Sequence, residues 1–299
     1  MIRKGDKMVT LQQLRYFREL AKTCHLTRTA EKLYITQTTL SNTIINLEKQ
    51  LGIKLFDRVG RNIQLSEAGK QYFKYVNEAL ISLENAQNAL NDFKEKNQQN
   101  VSVAMNSSNV WTDMIHDFRS IYRSYNIRQI DCDKALFHEM LLDQEIDFVL
   151  AGVGDIPMPG LKHQVLREEK LYLCVSKDNP LSQRKSIHLS DTKDESFIIL
   201  PQTTCFRSYC DKLFEKAGFN CKVAAECDYT MRSKMIEANF GVALTTSFYK
   251  KRKLHGENIA YIPIIDDFAV RPIALIWNPQ HYLSRAARDF MNYIVETVV

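Results

Sequence analysis

A chain of 299 residues, 45% of them hydrophobic, has enough material for two or three domains with full cores. No apolar run approaches the roughly 18 residues needed to cross a bilayer, and seven Cys with no C-x-x-C pair exclude a regular disulfide framework and point to a reducing cytoplasm. The net charge of +5 is unevenly spread, because residues 1–75 carry 14 Lys or Arg against 6 Asp or Glu while the remainder carries 26 against 29. A basic head on a slightly acidic body fits a nucleic-acid module joined to one that binds something else.

Residues 1–7 are polar and basic without an apolar core, so no signal peptide is expected there, and Met8 is a candidate start. Leu11, Leu14, Phe17, Leu20 and Ala21 trace the inward face of a first helix. Thr27 is the expected N-cap of a short helix with Ala30 and Leu33 inward, followed by a turn at Tyr34 and Ile35. Thr36 starts the next helix, with Ile35 and Leu40 placed as a hydrophobic staple. Along it Leu40, Ile44, Leu47 and Leu51 form one apolar stripe, and Thr39, Asn42, Thr43, Asn46 and Lys49 form the opposite face.

Gln37, Thr38 and Ser41 occupy the leading end, where a helix-turn-helix presents side chains to base edges. Gln and Asn pair bidentately with adenine, Thr methyls meet thymine methyls, and hydroxyls take phosphate or base contacts. A solvated helix of an all-α module would show the same pattern, so the flank matters. Leu55 to Leu65 read as two short strands around a turn at Val59 and Gly60, with Arg58, Arg61 and Asn62 at the tip: a basic wing suited to backbone or minor-groove contacts. The expected DNA contacts are Thr27, Thr36, Gln37, Thr38, Thr39, Ser41, Asn42, Arg58 and Arg61.

Ser66 can cap a long helix from about Glu67 to Lys96, in which Phe73, Val76, Leu80, Leu83, Gln87 and Leu90 keep the spacing of a coiled-coil seam. Lys94 to Asn100, charged and amide-rich, reads as a hinge. Strands and helices then alternate, as expected of α/β lobes: a strand at Val101–Met105, a helix with Trp111, Ile115, Phe118 and Tyr122, a strand near Arg128–Asp131, a helix with Leu136, Met140 and Leu141, and a buried strand at Ile146–Gly152. A second set has strands at Lys170–Ser176, Phe197–Pro201, Lys222–Glu226 and Gly241–Thr246, with helices at Phe206–Ala217 and Thr230–Asn239. The strand Arg271–Trp277 and a helix over Ser284–Val295 close the chain.

The segments LQQLRYF (Leu11 to Phe17), TRTAEKLYITQTTLS (Thr27 to Ser41), the Leu47-Glu48 pair, LGIKLFDR (Leu51 to Arg58) and RNIQLSEAG (Arg61 to Gly69) resemble, in order and spacing, the winged helix-turn-helix of LysR-type transcriptional regulators. The resemblance implies a multidomain α+β and α/β protein. Residues 1–66 would form the winged helix-turn-helix DNA-binding domain, 67–99 a long linker and dimerisation helix, and 100–299 a two-lobed effector domain like periplasmic binding proteins. Lobe I would take 100–165 and 266–299 and lobe II 166–265, with the crossings near Leu166 and Ile264. It also implies a homodimer through 67–96, a homotetramer built from two such dimers, double-stranded DNA with promoter half-sites as partner, and RNA polymerase as a further candidate partner. Three features depart from the family pattern: Thr38 stands where Pro is usual, Thr29-Ala30 where Ala-Ala is common, and Asn42, Ile45 and Asn46 where Arg is frequent. With few guanidiniums on the reading helix, A·T-rich half-sites are expected.

A small-molecule effector is expected in the cleft between the lobes, at strand ends and helix N-termini. By position the resemblance assigns it Ser107, Ser108, Asn109, Gly152, Thr203, Thr204, Phe206 and Thr246, and the loop Asn106 to Asn109 could receive an anion such as a carboxylate. The same Ser and Thr residues would serve equally as helix caps. Cys205, placed where peroxide-sensing members of the family carry a reactive Cys, and Cys210 offer an alternative, thiol-based sensing, although residues five apart on one helix point about 140° away from each other. An enzyme on the same architecture is disfavoured, since G-x-x-x-x-G-K-[ST], H-E-x-x-H and G-x-S-x-G are missing and Pro157 replaces the third Gly after Gly152-x-Gly154. No metal or cofactor and no membrane contact are expected. The whole points to a cytoplasmic, sequence-specific DNA-binding regulator.

Overall fold

The structure, a computed structural model, describes residues 9–59, 62–94, 100–105, 111–130, 134–154, 157–251 and 258–298. The expected contacts Arg61, Ser107, Ser108 and Asn109 lie outside them. The chain divides into two compact units, residues 1–90 and 91–299.

In the first unit, helix α1 (Leu11–Thr23) opens with a reciprocal cap: Gln13 N–H donates to Thr10 Oγ1 at 3.2 Å and Thr10 N–H to Gln13 Oε1 at 2.8 Å. Phe17, Leu20 and Ala21 face the core as expected, but Leu11 is exposed and Gln13 is buried instead, its amide donating to Gln50 Oε1 at 3.1 Å. Helix α2 (Leu26–Lys32) is capped by His25, whose Nδ1 accepts from Arg28 N–H at 3.3 Å, and not by Thr27, which lies within its first turn. Glu19 ties α1 to α2. Burial pushes its carboxyl up, yet the Lys32 ammonium at 2.8 Å, with Lys22 and Arg18 beside it, leaves it below the usual carboxylate range.

The turn between α2 and α3 uses Tyr34 at φ 55°, 96% exposed, and Ile35 N–H closes it on Ala30 O at 3.0 Å. Helix α3 (Gln37–Leu51) begins as expected at Thr36, whose hydroxyl accepts from Thr39 N–H at 3.1 Å, and it ends at Gly52 with φ 70°. Leu40, Ile44 and Leu47 are buried against Phe17, Leu20 and Ala30. Strands β1 (Phe56–Val59) and β2 (Asn62–Leu65) pair antiparallel, Phe56 opposite Leu65 and Val59 opposite Asn62, so Val59 belongs to the ladder and not to the turn. Helix α4 (Glu67–Lys94) follows. Its expected seam divides: Phe73, Val76 and Leu80 pack in the core of this unit, while Leu83, Gln87 and Leu90 are exposed.

In the second unit β3 (Asn100–Met105) pairs in parallel with β4 (Asn126–Ile130) and β5 (Phe148–Gly152), the connections being α5 (Thr112–Ile121) and α6 (Lys134–Leu142). The long strand β6 (Lys162–Ser176) serves two sheets. Its residues 162–170 run antiparallel to β11 (Val270–Trp277), which also pairs with β5. Its residues 171–176 pair instead with β9 (Ala243–Thr246) and β10 (Ile259–Pro263). The pairing changes between Lys170 and Leu171, later than the Leu166 expected, and Leu166 is buried in the first-lobe core. The return passes the same point, since Ile264 N–H donates to Leu171 O at 3.1 Å and Leu171 N–H to Ala269 O at 3.3 Å.

The first-lobe core gathers Val103, Phe118, Phe148, Leu275 and Phe290 from the sheet, α5 and α10 (Arg285–Val298). In the second lobe β7 (Ser196–Ile199) and β8 (Lys222–Glu226) are parallel, and Phe197 bridges to Val242 just ahead of β9. Helix α7 (Cys205–Lys216) lays Phe206, Leu213 and Phe214 on that sheet. Helices α8 (Tyr229–Glu237) and α9 (Ser247–Lys251) complete the lobe.

Candidate nucleic-acid interface and effector cleft

The leading end of α3 is exposed at Thr36, Gln37, Thr38, Thr39 and Asn42, with Ser41 half-buried. Thr27 reaches it from α2, its hydroxyl donating to Gln37 Oε1 at 3.0 Å. That contact orients the amide while one lone pair of Oε1 and the NH2 group stay available for a base edge. Thr36 and Thr39 are engaged with each other at 2.8 Å as well as in the cap, so their hydroxyls hold the helix start. On β1 Arg58 is exposed opposite Ile63.

What aims the wing is Glu48, a buried carboxylate near the end of α3. Its Oε1 accepts from Leu55 N–H at 2.9 Å and Phe56 N–H at 3.2 Å, and its Oε2 meets Lys54 Nζ at 2.7 Å. From the other side Ser66 Oγ donates to Lys54 O at 2.8 Å while accepting from Gly69 N–H at 2.9 Å. The start of the wing is thus clamped between the end of α3 and the start of α4. Sequence reasoning assigned Glu48 no role, although its step of four from Ile44 sets a carboxylate beside the buried stripe.

At the junction of the lobes, Gly152 is buried at the end of β5 opposite Ile273. The exposed Thr203 offers its carbonyl to Lys134 N–H at 3.1 Å, linking the α7 start to α6 of the first lobe. The Thr204 hydroxyl is committed to capping α7, accepting from Arg207 N–H at 3.3 Å and donating to Pro201 O at 2.9 Å, which limits what it can offer an effector. Phe206 is buried in the second-lobe core with the Arg271 guanidinium 5.2 Å from its ring centre. Thr246 is 2% exposed at the end of β9, and its hydroxyl has no hydrogen-bond partner among the described residues. Close to the crossing strands Arg167 pairs with Glu169 at 2.8 Å and lies 4.9 Å from the Trp111 ring and 4.4 Å from that of Phe248.

The model described as "LysR substrate binding domain" matches residues 95–298, and the one described as "Bacterial regulatory helix-turn-helix protein, lysR family" matches residues 11–70. The chain belongs to the LysR family. GltC of Bacillus subtilis, a transcriptional dual regulator, is 26% identical over 290 residues that cover 96% of each chain. A full-length OxyR variant from Pseudomonas aeruginosa shares the fold with a TM-score of 0.67 at 19% identity, over 96% of this chain and 95% of that one. CbnR in complex with its target DNA does so at 0.57 and 20%, over 97% and 100%. This LysR-type chain is therefore a DNA-binding transcriptional regulator with an effector-binding domain, not an enzyme. None of its described helices is long and apolar enough to cross a membrane.

Its two thiols of interest point into different cores. Cys205, 2% exposed, packs with Val149, Ala151 and Ala274 of the first lobe, whereas Cys210 packs with Phe206 and Leu213 of the second. A disulfide between them requires local unfolding of α7, as their spacing on one helix already implied.

Proposed function

We propose that this regulator reads promoter half-sites with Gln37, Thr38, Ser41 and Asn42 in the major groove, while Arg58 and Arg61 of the wing take the backbone or minor groove. The observation that carries it is the Thr27 hydroxyl on Gln37 Oε1, which holds an exposed amide at the tip of α3. Pairing of two copies through α4 is supported by Tyr75, Leu83 and Leu90, large apolar side chains that are 60%, 48% and 59% exposed. Such a dimer would set two reading helices on successive half-sites of a pseudo-palindrome, and two dimers would make the tetramer. Its working compartment is the cytoplasm, with RNA polymerase as downstream partner.

The effector, a small and preferably anionic molecule, binds between the lobes, to which the family resemblance assigns Ser107, Ser108, Asn109, Gly152, Thr203, Thr204, Phe206 and Thr246 by position. The unpaired buried hydroxyl of Thr246 supports that placement. Occupancy would shift the population of lobe arrangements by no more than the effector's differential affinity for them. Burial of Cys205 makes effector binding the better supported trigger than thiol oxidation.

Equilibrium binding at several salt concentrations tests the reading surface. Arg58→Ala should weaken binding to every sequence and lower the salt slope by about 1. Gln37→Ala should cost about 1–3 kcal/mol at one base position and relax preference there. An equal loss on all sequences for Gln37→Ala would leave it a positional role only.

A further inference from the structure

The turn that feeds α3 carries a residue its own geometry does not favour. Ile35 N–H donates to Ala30 O at 3.0 Å and Tyr34 N–H to Glu31 O at 3.1 Å, the pair of bonds that ends a helix through one residue in the left-handed region. That residue is Tyr34, at φ 55°. Gly is usual there and Asn next, because a Cβ is crowded in this conformation, and a bulky side chain at positive φ is an outlier.

The apolar contact of the turn comes from Ala30 and Ile35, which both pack in the core of the first unit. Tyr34 adds nothing to it. The residue is 96% exposed, and its ring and hydroxyl have no partner among the described residues. A strained backbone and a wetted aromatic ring thus find no compensation within the chain, which points to a partner outside it.

The place of the residue says which partner. Tyr34 stands two residues ahead of Thr36, the cap of α3, and three ahead of Gln37. A helix with its side chains is about 10–12 Å across and the major groove is about 12 Å wide, so a residue that leaves the helix just before its cap faces a wall of the groove. That wall is sugar and phosphate. The N-terminus of α3 carries a partial positive charge that favours a phosphate at the same spot, and a Tyr hydroxyl is one of the groups that hold a protein on the backbone.

We propose that Tyr34 is a DNA-backbone contact of this regulator, its hydroxyl donating to a phosphate oxygen beside the leading end of α3. The contact rests on the assignment of that end as the reading surface, and it sets the register of the helix without naming a base. Being uncharged, it releases no counterion, unlike Arg58 on the wing.

Binding of the full chain to two labelled duplexes, one selected from a random-sequence pool and one unselected, tests this together with thermal unfolding. Tyr34→Phe should weaken binding to both duplexes by about tenfold, as expected for a lost hydrogen bond to a charged group, with the salt slope unchanged. Its Tm should match the wild type, because the hydroxyl touches nothing in the described chain. Tyr34→Asn should weaken binding at least as much with a Tm no lower, since Asn accepts the left-handed conformation. A merely structural role would not separate affinity from stability in this way. A loss below about threefold for Tyr34→Phe, or a Tm that falls in step with affinity in both variants, would overturn the proposal. Gln37→Ala in the same assay separates the contact from the reading on which it rests. Unchanged base preference for Gln37→Ala, beside the loss expected of Tyr34→Phe, would sink base reading at Gln37 and keep the backbone contact, and the reverse would sink the contact alone.

Discussion

Glu48→Ala should lower the unfolding free energy of the N-terminal unit by about 3 kcal/mol, because it strands the buried amide of Leu55 and the part-buried amide of Phe56 at once. A charge-assisted bond to a backbone N–H is worth roughly 1.5–3 kcal/mol, and an unsatisfied buried donor costs about 1–3. Lys54, mostly exposed, adds little, since its ion pair is screened by solvent. Glu48→Gln keeps an acceptor for both amides and should therefore lose less than half as much. Denaturant unfolding of the full chain, followed by a probe in the first unit, checks this. A loss below about 0.5 kcal/mol for Glu48→Ala would show that the wing is held by other contacts. Because the same bonds aim Arg58, DNA affinity should fall with Glu48→Ala even at temperatures where the unit remains folded.

Gly69→Ala should be nearly as damaging, and its sign runs against ordinary expectation. In an exposed helix interior that change stabilises by about 1 kcal/mol. Here a Cβ would come within 2.0 Å of the Leu55 carbonyl oxygen and 2.9 Å of its carbon, backbone atoms that Glu48 and Ser66 hold in place. Either α4 shifts or the wing does, at a cost of about 3 kcal/mol for an overpacked contact that cannot relax by turning a side chain. Thermal unfolding with a lowered first transition is the expected result. An unchanged or raised Tm would mean that α4 meets the wing less closely than described.

These two positions also mark what the sequence carries openly and what it hides. The start of α3 was legible because its signals are local: Thr36 caps three residues on, and Leu40, Ile44 and Leu47 repeat at helical spacing. The start of α2 was misplaced by two residues because a Thr is the more usual cap, whereas His25 performs that role through an imidazole nitrogen. The first half of β6, Lys162 to Glu169, went unread since its side chains are mostly charged or polar and exposed, and only the ladder with β11 makes it a strand.

β10 was missed as well, five residues whose partner in β6 lies far back in the chain. Site residues follow the same division. Exposure of Gln37 and Asn42 follows from helical phase, but the partners of Glu48 and Thr204 come from packing that no spacing announces. Thr204 illustrates the ambiguity of a hydroxyl before a helix, since cap and ligand contact share one sequence signature.

Selection of bound duplexes from a random-sequence pool by the full-length chain tests the DNA-reading function most directly. The expected result is a pseudo-palindrome with A·T-rich half-sites about one helical turn apart or a multiple of it, relaxed at a single position by Gln37→Ala. Recovery of no common sequence, or of G·C-rich half-sites unaffected by Gln37→Ala, would contradict the assignment of the leading end of α3 as the reading surface.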